Sequence, residues 1–115
     1  MTLKSGKNKI LMIDDNKELL NYMRRLSDSK GWDITFMYCP IQALELNNLN
    51  EFTHIVVDLH MPGMSGEEFI KQYNGEAKII LCTSFITKHN SFLGAHDGLR
   101  KPFNLSEFKK KLNLF

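Results

Sequence analysis

Three short apolar runs punctuate the chain: Ile10-Leu11-Met12-Ile13, Ile55-Val56-Val57 and Ile79-Ile80-Leu81-Cys82. They are continuous rather than alternating, and two are rich in β-branched residues. A strand covered on both faces of a parallel sheet needs apolar side chains on both sides of its pleat, and it reads this way. Ile34-Thr35-Phe36-Met37-Tyr38 predicts a further strand, and Leu99-Arg100-Lys101, before Pro102, a weaker one.

Helical spacing fills the intervals. Leu19, Met23, Leu26 and Lys30 recur at helical period after the first run, and Gly31 supplies a left-handed stop. Pro40 suits a first helical turn. Ala43, Leu44 and Leu46 follow it, and Asn47-Asn48 predicts the end. Glu67 to Tyr73 predicts the next helix, stopped by Asn74-Gly75, and Thr87 to Leu93 predicts a short, poor one. In the last, Asn104 and Glu107 have capping-box spacing, and Leu105, Phe108, Leu112 and Phe115 share an apolar face. Five strand–helix units in alternation predict an α/β fold, a doubly wound five-stranded parallel sheet with helices on both faces.

In such a sheet every strand delivers its C-terminal end to one edge, where sites form. Those ends carry Asp14-Asp15, Asp58, Thr83-Ser84 and Lys101-Pro102. Three carboxylates at close range repel one another, and a bound cation relieves the repulsion. Oxygen-only ligands suit a hard ion, with Mg²⁺ the natural candidate. One carboxylate is then placed to act as nucleophile toward a phosphoryl group, with Lys101 and Thr83 stabilising the added oxygens. Taken singly, each residue has a plainer role. Asp14-Asp15 is a helix cap and first-turn acid, Thr83 a capping hydroxyl and Lys101 a surface lysine.

Composition narrows the field. A length of 115 residues allows one domain and excludes a (β/α)₈ barrel, which needs roughly 250. With 43% hydrophobic and 24% charged residues the chain is ordinary globular material. A net charge of +2 without a basic stripe argues against nucleic-acid binding. Cys39 and Cys82 form no CxxC pair and read as reduced, packed thiols. The basic N-terminus is followed by too short an apolar run for a signal peptide or membrane helix, so a cytoplasmic location without membrane association is expected. His54, His60, His89 and His96 show no ligand spacing and read as surface or turn residues. Trp32 and Tyr22 read as packing residues, and Lys109-Lys110-Lys111 as a solvated face.

Four motifs, in order, resemble the receiver domain of two-component response regulators: Ile13-Asp14-Asp15; Val56-Val57-Asp58-Leu59-His60-Met61-Pro62-Gly63-Met64-Ser65-Gly66; Ile80-Leu81-Cys82-Thr83-Ser84; and Lys101-Pro102-Phe103. The second fits the family's D-x-x-M-P-x-x-x-G spacing at every fixed position. The resemblance runs from about Lys9 to Phe115, leaving residues 1–8 as an N-terminal extension and 9–115 as the receiver. It implies a flavodoxin-like sheet of order 2-1-3-4-5. It implies that Asp58 is the phosphoacceptor, charged by a histidine kinase or histidine phosphotransfer protein. Asp15 is similar to a direct Mg²⁺ ligand, Asp14 to one acting mainly through water, and the main-chain carbonyl of His60 to the third protein ligand. Thr83 resembles the switch hydroxyl and Lys101 the lysine that pairs with the phosphoryl group. The lysine–proline peptide is commonly cis in the family. No enzymatic activity is expected beyond the domain's own phosphorylation and dephosphorylation.

The chain departs from the family in three respects. The intervals from Asp58 to Thr83 and from Thr83 to Lys101 are several residues short, so the third and fourth helices should be trimmed. Gly98 stands where receivers usually carry an aromatic that moves with the threonine. His60 and Phe85 border the position of the attacking water, where a bulky Phe85 is expected to slow dephosphorylation.

A non-switching, pseudo-receiver-type interaction module is the main alternative, and Gly98 favours it. An aspartyl-phosphate hydrolase of haloacid-dehalogenase type fits less well, because His60 replaces its second Asp. Five units use the chain completely, so the signal is expected to leave through a protein surface toward a downstream protein target. Receivers often dimerise through the fourth helix, fifth strand and fifth helix, so a phosphorylation-dependent homodimer stays open although this chain is altered there.

Overall fold

The computed structural model describes residues 8–84 and 92–114. Five strands, β1 (Lys9–Ile13), β2 (Asp33–Met37), β3 (His54–Val57), β4 (Lys78–Thr83) and β5 (Asp97–Arg100), form one sheet of order β2-β1-β3-β4-β5. Every neighbouring pair is parallel. Four α-helices are described: α1 (Lys17–Lys30), α2 (Pro40–Leu44), α3 (Gly66–Gln72) and α4 (Leu105–Lys111). The doubly wound architecture and its strand order are therefore as the sequence predicts. No helix among the described residues is long and apolar enough to cross a membrane.

The continuous apolar runs divide between two cores because successive strand side chains point to opposite faces. Ile10, Met12, Val56, Ile80, Cys82 and Leu99 meet Leu20 and Met23 of α1 and Phe108 of α4. Leu11, Ile13, Ile55, Val57, Ile79 and Leu81 meet Ala43 of α2 and Phe69 of α3. Truncating Phe69 or Phe108, both fully buried, to Ala would cost about 3–5 kcal/mol.

The elements begin and end for local reasons. The Asn16 side chain accepts the Leu19 N–H at the start of α1, and Gly31 closes that helix at φ 72°. α1 buries Leu20, Met23 and Ser27, with Leu19 and Leu26 of the expected stripe half-buried against the same core and Lys30 exposed. Ser27 can face inward because its hydroxyl donates to the Trp32 carbonyl oxygen at 3.1 Å. α2 ends at Leu44, before the expected Asn47-Asn48, and a 3₁₀ turn over Leu49–Glu51 follows.

The expected helix from Thr87 to Leu93 lies mostly outside the described residues. Its described end is a 3₁₀ turn, Phe92–Gly94, in which Phe92 and Leu93 adopt left-handed φ of 49° and 51°. α4 stops at Lys111, and Phe115 lies outside the described residues.

Tyr22 is exposed rather than packed, whereas Trp32 joins the α1–α4 core. Both cysteines are free, and Cys82 is buried.

His54 is buried at the start of β3 rather than lying on the surface, with Nδ1 2.8 Å from the Thr53 hydroxyl. Burial, then the charge of Lys78, holds its pKa below the ordinary 6.5. Below pH 6.5 the unfolded chain takes up a proton that the folded chain refuses, so stability falls until the folded-state pKa is also passed. Chemical denaturation should show stability falling as the pH drops below 6.5. His54→Gln should flatten this part of the profile.

Candidate functional site

The strand ladders extend past the strand ends and set the edge residues in place. The Asp14 N–H donates to the Met37 carbonyl, Asp58 N–H to the Ile13 carbonyl and Lys101 N–H to the Thr83 carbonyl, each at 3.1 Å. Residues after β1, β3 and β5 are thus tied to their neighbours as firmly as the strands themselves.

On this edge, carboxylate oxygens of Asp14, Asp15 and Asp58 lie within 4.8 Å of one another. Asp14 and Asp58 are buried and Asp15 is exposed. The Lys101 ammonium reaches between two of them, 2.6 Å from Asp14 Oδ2 and 3.6 Å from Asp58 Oδ2. The remaining oxygens are anchored by main chain. Asp14 Oδ1 accepts the Asn16 N–H at 2.9 Å, and Asp58 Oδ1 accepts the Leu59 N–H at 2.8 Å. Thr83 ends β4, buried, beside Arg100 of β5. His60 is exposed on the loop after β3. The Lys101–Pro102 peptide is cis. Phe85 and His89 lie outside the described residues.

The charges respond to this crowding. Burial pushes the Asp58 carboxyl above its ordinary pKa, Lys101 opposes the rise, and Asp14 adds to it. Burial works against the Lys101 ammonium, but its hydrogen bond and attraction to Asp14, then Asp58, outweigh that and raise its pKa. Beneath them, burial pushes the Cys82 thiol up to about 12, so it behaves as an inert packed group. The three acids offer only oxygen donors, and together they exceed the single lysine in charge. That donor set fits a hard divalent cation such as Mg²⁺.

A family model described as the response regulator receiver domain matches residues 10–113. The chain belongs to this family. Response regulator SaeR of Staphylococcus epidermidis is 25% identical over 111 residues, covering 90% of this chain and 48% of that protein. The chain spans about half the length of the curated relatives it matches. The receiver domain of the Francisella response regulator 1452 superposes with a TM-score of 0.81 at 26% identity, covering 93% of this chain and 94% of that one. A Burkholderia pseudomallei response regulator, solved with a phosphorylated aspartic acid, calcium ion and citrate, gives 0.77 at 26% identity, covering 92% and 66%.

The receiver's β3–α3 loop depends on a capping box not singled out from sequence and on Gly66, the last fixed position of the second motif. Ser65 and Glu68 form a reciprocal capping box, legible as S-x-x-E spacing. Gly66 donates its N–H to the Leu59 carbonyl at 2.8 Å, and a Cβ there would overlap the Asp58 carbonyl oxygen. Only a residue without a side chain lets the helix start this close to Asp58. Gly66→Ala should therefore destabilise the domain by about 1–3 kcal/mol in denaturant titrations and disturb the Asp58 amide resonance. An unperturbed variant would contradict the close approach.

Proposed function

We propose that this receiver accepts a phosphoryl group on Asp58 from a histidine kinase or histidine phosphotransfer protein, and that the acylphosphate switches the binding of a downstream protein. The observation that carries the reading is the Lys101 ammonium held between Asp14 and Asp58 at an edge with a third carboxylate. Asp58 Oδ1 is held by the Leu59 N–H, which leaves Oδ2, on the lysine side, as the nucleophile. Attack by Oδ2 forms an O–P bond and breaks the P–N bond of the phosphohistidine donor, whose imidazole nitrogen takes up a proton. Lys101 then pairs with the new phosphoryl oxygens, and the Thr83 hydroxyl is the group that turns toward them.

The residues that would hold Mg²⁺ are Asp15 and Asp58 directly, Asp14 mainly through water, and the main-chain carbonyl of His60. The ion, when bound, supplies positive charge that offsets the carboxylates and the incoming phosphoryl oxygens. The phosphorylated aspartic acid of the Burkholderia relative supports the reading. Phosphorylation shifts a two-state equilibrium only as far as the two states differ in affinity for the partner.

Gly98, with no side chain to move beside β4, favours a second reading, a receiver fold that binds its partner without switching. Acetyl phosphate with Mg²⁺ should add one phosphoryl group to wild type, seen by intact mass, and none to Asp58→Asn. Absence of the adduct on wild type, or an equal adduct on the variant, would overturn phosphoacceptance at Asp58. Partner binding indifferent to both Asp58→Asn and Mg²⁺ would select the second reading.

A further inference from the structure

Resting on that reading, we propose that the state of Asp58 is carried to the α1–α4 side of the sheet by a row of packed aromatics, Phe103, Phe108 and Trp32. The row begins two residues from the site lysine. Lys101 sits 2.6 Å from Asp14 and 3.6 Å from Asp58, so its closest partner is not the phosphoacceptor. New phosphoryl oxygens on Asp58 draw the ammonium from Asp14 toward themselves. Pro102 connects that lysine to Phe103 with little torsional slack, because its ring fixes φ.

Phe103 stacks on Phe108, with centroids 5.4 Å apart and planes 19° apart. Phe108 packs in turn against Trp32 at 6.1 Å. Phe108 is fully buried and therefore cannot absorb a displacement of its neighbours without passing it on. Phe103 has room to move. It also lines a cavity of about 350 Å³, together with Leu19, Tyr22, Met23, Lys101 and Pro102. On this proposal Phe103 moves between Phe108 and the cavity, and a two-state element of this kind is what coupling between sites requires. At the far end, the Trp32 indole Nε1 is buried without a hydrogen-bond partner among the described residues, so a small rearrangement around it changes its environment. On the β5 side, Gly98 lies in register with Leu81 and offers no side chain.

Trp32 is the only tryptophan, so its emission reports on the end of the row alone. The full chain is titrated with beryllofluoride in Mg²⁺, following tryptophan emission and the bound fluorine resonance together. Emission should change and saturate over the same concentrations as the fluorine signal. Phe103→Leu should keep the fluorine signal and lose most of the emission change, whereas Phe103→Tyr and the cavity variant Leu19→Ala should retain it. Unaltered far-ultraviolet circular dichroism establishes that each variant is folded. Bound beryllofluoride without an emission change in wild type overturns the proposal, as does an undiminished change in Phe103→Leu or an equal loss in Leu19→Ala. Absence of any bound fluorine signal in wild type overturns the receiver chemistry itself and the aromatic route with it.

Discussion

Parallel pairing carries the C-terminal ends of β1, β3, β4 and β5 to one edge, and that edge gathers three carboxylates, two of them beside one ammonium. The rest of the structure answers to this arrangement. At an effective dielectric constant near 20, two unit charges 4 Å apart interact by about 4 kcal/mol. Lys101 offsets one carboxylate by direct contact and a second more weakly. The remaining negative charge makes the edge receptive to a divalent cation. The raised pKa of Asp58 expresses the same imbalance, with burial its largest cause.

Holding like charges together requires a rigid frame, and both cores supply it. Alternate residues of β1, β3 and β4 are buried on opposite faces, so neither side of the sheet can relax away from the edge. Main-chain bonds fix Asp14, Asp58 and Lys101 beyond their strands. The capping box at Ser65 and the close approach at Gly66 bring the β3–α3 loop back over Asp58. Between β4 and β5 the described residues include a 3₁₀ turn, Phe92–Gly94, with two left-handed non-glycine residues.

Much of this was legible in the residues. The central strands could be read because doubly buried strands leave unbroken apolar runs, the acids and Thr83 because each follows such a run, and Lys101 through the Lys101-Pro102-Phe103 motif. β5 was harder. It begins at Asp97, and a charged residue followed by Gly98 does not look like a strand. Asp97 is tolerated there because Lys111 contacts it at 2.8 Å. α1 packs the expected Leu19, Met23 and Leu26 against the core, but the burial of Ser27 was not legible, because a single hydrogen bond to the Trp32 carbonyl makes a polar residue acceptable there. His54 was misread for a similar reason, since its bond to Thr53 admits an imidazole to the start of β3. Pairings between distant segments left no mark on the sequence. Neither the preference of Lys101 for Asp14 over Asp58 nor the stack from Phe103 to Trp32 has a local signature.

The central claim is that charge crowding at the strand ends makes this edge a cation site, with phosphoryl chemistry built on it. Ligand that binds only the folded state raises stability in proportion to RT ln(1 + [L]/Kd). The most direct measurement is the thermal unfolding midpoint as a function of Mg²⁺, in wild type and in Asp15→Asn, at constant ionic strength. The midpoint should rise with Mg²⁺ in wild type and respond much less in the variant. A wild-type midpoint indifferent to Mg²⁺, or an equal rise in both proteins, would contradict the account.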